Sequence, residues 1–268
     1  MWGVLGAVAE AIDSLPVGTG VTSPIIRVHR AIVVQAAATA ARQLSGRFVL
    51  GVGTGENLNE YIVGERWPPH DQRLEMLVEA IEVIRLLWGG GTKTHRGDHY
   101  TVEDARVFTL SRGVAPIAVA AGGQRAAAAA GHYGDALMST APDPSLLQGF
   151  GEGNEGEVAG YYGQIDVCYG WEKEAALTQA CEQWPNGGLP GELIQALPTP
   201  AHFEHVAELV AEEDLEGKIV CGSDLDEYIE MIEEYADAGF DHIQIHNIGP
   251  EQDEFIDFFA DDVAPSSG

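Results

Sequence analysis

The sequence predicts an α/β fold built on a parallel sheet wrapped by helices, of the (β/α)8 TIM-barrel type. Three observations carry this. Short β-branched runs alternate with longer helical patterns along the whole chain, giving six β–α units in series. Each strand ends in small or polar residues, in the runs TGVTSP, GVGTGENLNE, AAGGQ, MSTAP, YGW and HNIG. Such loops at every strand end fit a barrel with one active face, whereas an open doubly wound sheet would gather them at one switch point. Finally, 268 residues with 45% apolar content suffice for a single large domain.

The elements follow in order. Residues 2–12 are small, apolar and helix-like, and residues 17–21 form a short strand. Residues 29–44 are Ala-rich and helical, followed by a strand over 47–52 (RFVLGV). Residues 73–88 carry Leu74, Leu77, Ile81, Ile84 and Leu87 on one stripe, the mark of an amphipathic helix. Residues 93–102 read as a hairpin turning at Gly97-Asp98, with a further short strand near Val107. Strands over 116–120 and 135–139 flank an Ala-rich helix over 124–131. A strand over 163–169 precedes a helix over 173–184. The Gly/Pro-rich run 185–203 is too long for a tight βα loop and is expected to form an excursion or lid. Helices over 203–211 and 225–238, a strand over 241–246 and a helix over 251–259 complete the series. A barrel needs eight strands, and the chain opens inside a helix, so the first strand, first helix and second strand are expected to be missing: one barrel domain over 1–268, incomplete at its N-terminus.

Charge narrows the partners. Asp plus Glu number 42 and Lys plus Arg 14, a formal charge of −28. Such a surface repels nucleic-acid phosphates and anionic membranes, so neither is expected as a partner. Few lysines within a strongly acidic chain suit concentrated salt, where screening acts over ~3 Å at 1 M; a halophilic source is expected. Acidity concentrates at the end: residues 201–268 hold twenty acids and one base, Lys218, while residues 1–55 hold Glu10 and Asp13 against Arg27, Arg30, Arg42 and Arg47. An anionic ligand is therefore better accommodated near the N-terminus. No apolar run reaches the ~18 residues of a membrane span, and residues 1–13 lack a basic leader, so a cytoplasmic protein is expected. Cys168, Cys181 and Cys221 include no CxxC pair and read as buried thiols.

Three segments stand out chemically. In GVGTGENLNE, glycines at alternate positions allow close approach of backbone to a ligand, and Glu56 and Asn59 add a carboxyl and an amide. It is neither a Walker loop nor GxGxxG, and its glycines serve equally well in tight turns. GTGVTSP (18–24) and AAGGQ (120–124) are similar, the latter opening a helix where an anion can sit. The histidines read first as structural: His242 and His246 share a face of the last strand with Gln244, and His95, His99 and Asp98 belong to a hairpin where a solvated turn is favoured over a metal site. No HExxH or GxSxG occurs.

The runs WGVLGAVAEAIDSLPVGTGVTSPIIRVHRAIVVQAAATAA, RFVLGVGTGENLNEYIVGERWPPHDQRLEMLVEAIEVIRLLW, HRGDHYTVEDARVFTL and QWPNGGLPGELIQALPTPAHFEHVAELV resemble the luciferase-like oxidoreductases that use coenzyme F420, nearest the branch related to F420-dependent glucose-6-phosphate dehydrogenase. The resemblance covers essentially the whole chain. It implies the family's (β/α)8 barrel and hydride transfer between an alcohol, sugar or carbonyl substrate and the deazaflavin. It implies a cis peptide at Gly20–Val21 under the deazaflavin ring, with Ser23 in the same loop. It places Gly53, Thr54, Gly55 and Asn59 against the cofactor and Glu56 as the acid near the deazaflavin. Ala121, Gly122, Gly123 and Gln124 fall where the cofactor phosphate is held. A homodimer acting on a small-molecule substrate is implied, and no metal. The family's catalytic Asp-His pair falls in the segment expected to be missing. Asp143 stands where the glucose-6-phosphate enzymes carry a phosphate-binding lysine, and Arg30 where relatives carry Pro. Two alternatives stay open: a non-catalytic F420-binding or inactive paralogue, and an FMN-dependent luciferase-like monooxygenase.

Overall fold

The computed structural model describes residues 1–111 and 113–267, and the chain divides into two units. The first comprises Met1–Gly55, Asn59–Met138 and Ser145–Gly160, and the second Glu56–Leu58, Ser139–Pro144 and Tyr161–Gly268.

The first unit is a parallel sheet with helical cover. Helix α1 (Trp2–Ala11) leads to β1 (Val17–Gly18), α2 (Arg30–Gln43) and β2 (Phe48–Val52). The Ala-rich α2 starts where His29 Nδ1 accepts from the Ala31 amide and buries Val33, Val34, Ala37 and Ala41. After the short α3 (Asn57–Glu60), α4 (His70–Trp88) buries the predicted Leu74, Leu77, Ile81, Ile84 and Leu87 stripe. The hairpin β3 (Lys93–Arg96) and β4 (Thr101–Ala105) is antiparallel and separate from the main sheet. Then come β5 (Ile117–Ala120), α5 (Gln124–Tyr133), β6 (Ala136–Ser139) and α6 (Pro144–Gly153). Strands β1, β2, β5 and β6 lie side by side and parallel, with Val17 opposite Phe48, Leu50 opposite Ile117 and Ala118 opposite Ala136.

The second unit holds β7 (Gly160–Cys168), α7 (Lys173–Gln183), α8 (Gly191–Ala196), α9 (Pro200–Ala207), β8 (Val220–Cys221), α10 (Leu225–Asp237), β9 (His242–Asn247) and α11 (Gln252–Phe258). Strand β7 pairs in parallel with both β8 and β9. Its core gathers Cys168, Ala176, Ala180, Leu215, Ile219 and Cys221. Helix α10 is capped by Asp224, whose carboxylate accepts from the Asp226 amide. Gly163 leaves room for the Tyr235 ring, whose hydroxyl donates to the Gln164 carbonyl at 2.9 Å.

Several boundaries differ from expectation. Residues around Val107 form no strand. The first strand stops at Gly18, helix α4 begins one turn early at His70, and α9 occupies Pro200–Ala207 in place of 203–211. The final helix passes into a π-helical turn over Phe259–Val263. Helix α6 is absent from the sequence reading because Gly149, Gly151 and Gly153 depress intrinsic helicity. What holds it is packing: a Cβ on Gly131 of α5 would overlap the Phe150 carbonyl oxygen, so the two helices touch backbone to backbone. Strand β8, two residues long, adds a seventh parallel strand to the six expected.

Candidate active site

The loops following β1, β2 and β5 converge within the first unit. Thr22 donates its amide to the Gly51 carbonyl at 2.8 Å, and the Gly53 amide donates to Thr22 O at 3.1 Å, which locks the first loop along the end of β2. The buried Thr19 hydroxyl donates to Gly51 O at 2.8 Å. The Gly20–Val21 peptide is cis, and Val21 presents an apolar side chain that is 38% exposed.

Two glycines shape the cradle. A Cβ on Gly53 would stand 2.8 Å from Val21 Cγ2 and 3.5 Å from Ala120 Cβ, so this glycine sits between the first and third loops. Gly55 has φ +70°, and a Cβ there would stand 2.5 Å from Ser23 Oγ and 3.4 Å from Glu60 Cγ. Ser23 Oγ is itself buried without a hydrogen-bond partner. A buried hydroxyl left unpaired costs roughly 1–3 kcal/mol, so the position suits a ligand that supplies a polar atom. Gly20, Val21, Ser23, Gly53 and Gly55 are thus brought together, with Thr54 half-buried between the two glycines. Ala121 is buried, its amide donating to the Met138 carbonyl at 2.9 Å. Gly122, Gly123 and Gln124 lie exposed at the start of α5, where Gly123 provides no side-chain cap. Asn59 is exposed on α3.

Behind the cradle stands a polar network that the sequence analysis did not find. Glu60, 1% exposed, accepts from the Arg27 amide at 2.7 Å and faces the Arg27 guanidinium at 3.7 Å. Arg30, which the resemblance marks as replacing a Pro, donates to the Pro24 and Ile25 carbonyls. Its guanidinium stacks 3.4 Å over the Tyr100 ring. Burial lowers the Arg30 pKa, with Tyr100 and Glu79 acting against that shift. The Tyr100 hydroxyl donates to Ile25 O at 3.0 Å, and burial pushes its pKa well up. Glu79 on α4 accepts from the amides of His99 and Tyr100 at 2.8 Å and pairs with His95 Nε2 at 3.0 Å. The hairpin histidines are therefore structural partners of a buried carboxylate. Among the described residues no cluster of three or more His, Cys, Asp or Glu could hold a metal. The GDHY turn was the only sequence signal for this network, and it gives no hint of Glu79, eighteen residues before Gly97.

Glu56 belongs to the second unit, where burial raises its carboxyl pKa. The neighbouring Asn57 side chain donates to the Ala196 carbonyl at 3.0 Å, fastening this stretch to α8 within the 185–203 excursion. On β9, His246 Nδ1 pairs with Asp166 Oδ1 at 2.9 Å, and His242 Nδ1 with Asp241 at 2.5 Å.

The comparisons with known proteins bear on the family and the fold. The profile of the family described as luciferase-like monooxygenase matches residues 1–242. The F420-dependent glucose-6-phosphate dehydrogenase of Rhodococcus hoagii (strain 103S) is 33% identical over 273 residues, covering 97% of this chain and 80% of the relative. A solved F420-dependent secondary alcohol dehydrogenase, in complex with an F420-acetone adduct, superposes with TM-score 0.90 at 29% identity, covering 100% of this chain and 84% of that one. The coenzyme F420 dependent tetrahydromethanopterin reductase from Methanopyrus kandleri, at 20% identity and TM-score 0.78, shares the fold over 100% of this chain and 87% of its own. With the family profile matching nine-tenths of its length, the chain belongs to the luciferase-like family and has that family's (β/α)8 fold class.

Proposed function

We propose that this protein is an F420-dependent oxidoreductase that transfers a hydride between an alcohol, sugar or carbonyl compound and the deazaflavin. The observation that carries the proposal is the buried, unpartnered Ser23 hydroxyl beside Gly55, in a cradle that any side chain at Gly53 or Gly55 would fill. A flat cofactor needs such a wall, and it needs polar atoms at its edge. When bound, coenzyme F420 supplies a two-electron hydride carrier. Gly20, Val21, Ser23, Gly53, Thr54, Gly55 and Asn59 would hold its ring system. Ala121, Gly122, Gly123 and Gln124 would take its phosphate, since the free amides opening the ten-residue α5 attract an anion. Glu56 would hold a proton on its carboxyl. Burial favours the neutral form there, which keeps that proton available closer to neutral pH. The resemblance also supports a homodimer, and the acidic composition a cytoplasmic protein of a salt-rich cell. Among the described residues no helix is long and apolar enough to cross a membrane.

Titration of the purified protein with F420 and with FMN in molar KCl, followed by fluorescence, tests the proposal, and turnover is then read as loss of F420 absorbance with alcohol or sugar. Saturable F420 binding with turnover is expected. F420 binding without turnover would mark a non-catalytic paralogue, and retention of FMN instead would mark a monooxygenase.

A further inference from the structure

The first cradle loop is held from behind by side chains of its own unit. Arg30 donates to the Pro24 and Ile25 carbonyls at 3.2 Å, and the Tyr100 hydroxyl donates to the same Ile25 oxygen at 3.0 Å. Two residues further on, the Arg27 amide donates to Glu60 Oε2 at 2.7 Å. Ser23, Arg27, Gly55 and Glu60 all belong to the first unit.

Glu60 uses only one of its two oxygens in this way. Its side chain is 1% exposed, and Oε1 is buried without a hydrogen-bond partner. Arg27 Nε stands 3.7 Å from Oε1, beyond hydrogen-bond reach, on a guanidinium that is 41% exposed. An ion pair so open to solvent contributes little, whereas a short amide bond to an ionised oxygen is a strong one. The clasp is therefore the amide bond. The buried, unpaired oxygen beside it works against stability, which asks for a role other than stabilising the chain.

Gly55 shows what Glu60 stands against. A Cβ there would lie 2.5 Å from Ser23 Oγ and 3.4 Å from Glu60 Cγ. The orphaned hydroxyl of the cradle and the stem of the carboxylate thus flank the same side of one glycine. The chain between Ser23 and Arg27 is four residues long, so anchoring the Arg27 amide limits where Ser23 can stand.

We infer that Glu60 is a positioning residue for the cradle: by holding the Arg27 amide it keeps Ser23 against Gly55, and it acts as a hydrogen-bond acceptor, not as a charge. The inference rests on the oxidoreductase reading only for the identity of the ligand, because the order of the loop is measurable without cofactor.

The test is amide hydrogen exchange on ¹⁵N-labelled protein in molar KCl without cofactor, read at Arg27, Thr22 and Gly53, for the unaltered chain, Glu60→Ala, Glu60→Gln and Leu146→Ala. Leu146, 2% exposed on α6, reports general loosening of the same unit. Exchange at Arg27 and Gly53 should be at least about tenfold faster in Glu60→Ala than in Leu146→Ala, compared at equal distance below each Tm. Gln keeps one acceptor oxygen for the Arg27 amide, so Glu60→Gln should exchange within about threefold of the unaltered chain and melt no lower. Affinity for F420, by fluorescence titration, should follow the same order, lost in Glu60→Ala and restored in Glu60→Gln. Exchange in Glu60→Ala no faster than in Leu146→Ala overturns the inference, as does F420 affinity that Glu60→Ala leaves unchanged. If Glu60→Ala does not fold, Glu60→Gln decides alone: Arg27 exchange more than about tenfold above the unaltered chain overturns the acceptor role. An unaltered chain that binds no F420 but shows the expected exchange order counts against the oxidoreductase reading alone.

Discussion

Replacing Glu79 with Gln removes a charge at the point where the β3–β4 hairpin is fastened to α4. The buried carboxylate accepts from His99 N and Tyr100 N at 2.8 Å and pairs with His95 at 3.0 Å. A Cβ at Gly97 would overlap Glu79 Oε1, so the turn closes directly on this carboxylate. An amide offers one acceptor oxygen, and its NH2 must confront a backbone N–H. One charge-assisted hydrogen bond, worth about 1.5–3 kcal/mol, is lost and one buried donor is stranded. The expected destabilisation is about 3 kcal/mol, or a fall in Tm of roughly 6–12 °C at this chain length. Burial raises the Glu79 pKa, but the hydrogen bonds from His95, His99 and Tyr100 outweigh it and hold the folded value below the usual 4.5. Its stabilisation is therefore fully present above 4.5 and is lost as pH falls through the folded value. Thermal melts of both proteins in molar KCl should show a wide gap at neutral pH that closes in acid. A gap under about 0.5 kcal/mol at neutral pH, or one that widens on acidification, refutes the reasoning. Cofactor affinity should fall as well, since Tyr100 braces the first loop through Ile25 O.

Gly55→Ala forces a Cβ to φ +70° and within 2.5 Å of Ser23 Oγ; a loss of about 1–3 kcal/mol and weakened F420 binding are expected in melts and titrations. Adding Ser23→Ala should relieve the steric part and leave the backbone part. Burial raises the Glu56 pKa, so the folded chain binds that proton more tightly than the unfolded chain does. Stability from Glu56 is then present below 4.5 and lost as pH rises through the folded pKa, and Glu56→Gln should flatten that fall in a series of melts while leaving the chain at least as stable at neutral pH. Burial pushes the thiols of Cys168 to about 11 and Cys221 to about 12, so a thiol reagent at about pH 8 should modify at most Cys181 in the folded protein and all three cysteines in denaturant.

What the sequence determined by itself was local and periodic. The apolar stripe of α4, the RFVLGV run of β2 and the Gly97-Asp98 hairpin each carry their own signature within a dozen residues, and each is present in the structure. The glycine-rich loops were legible as loops for the same reason, while the close approaches at Gly53 and Gly55, as against plain tight turns, came from the structure. The tertiary structure alone decided the rest. Helix α6 exists because Gly131 lets α5 touch it, against the preference of its own glycines. Strand β8 is two residues that become a strand only beside β7. Glu79, on the predicted helix over 73–88, and Glu60, at the end of the GVGTGENLNE run, prove to be buried anchors whose partners lie twenty and thirty-three residues away. Whether a carboxylate is a solvated charge or a buried clasp depends on which donors the fold brings within 3 Å. That information is non-local, and no window along the chain contains it.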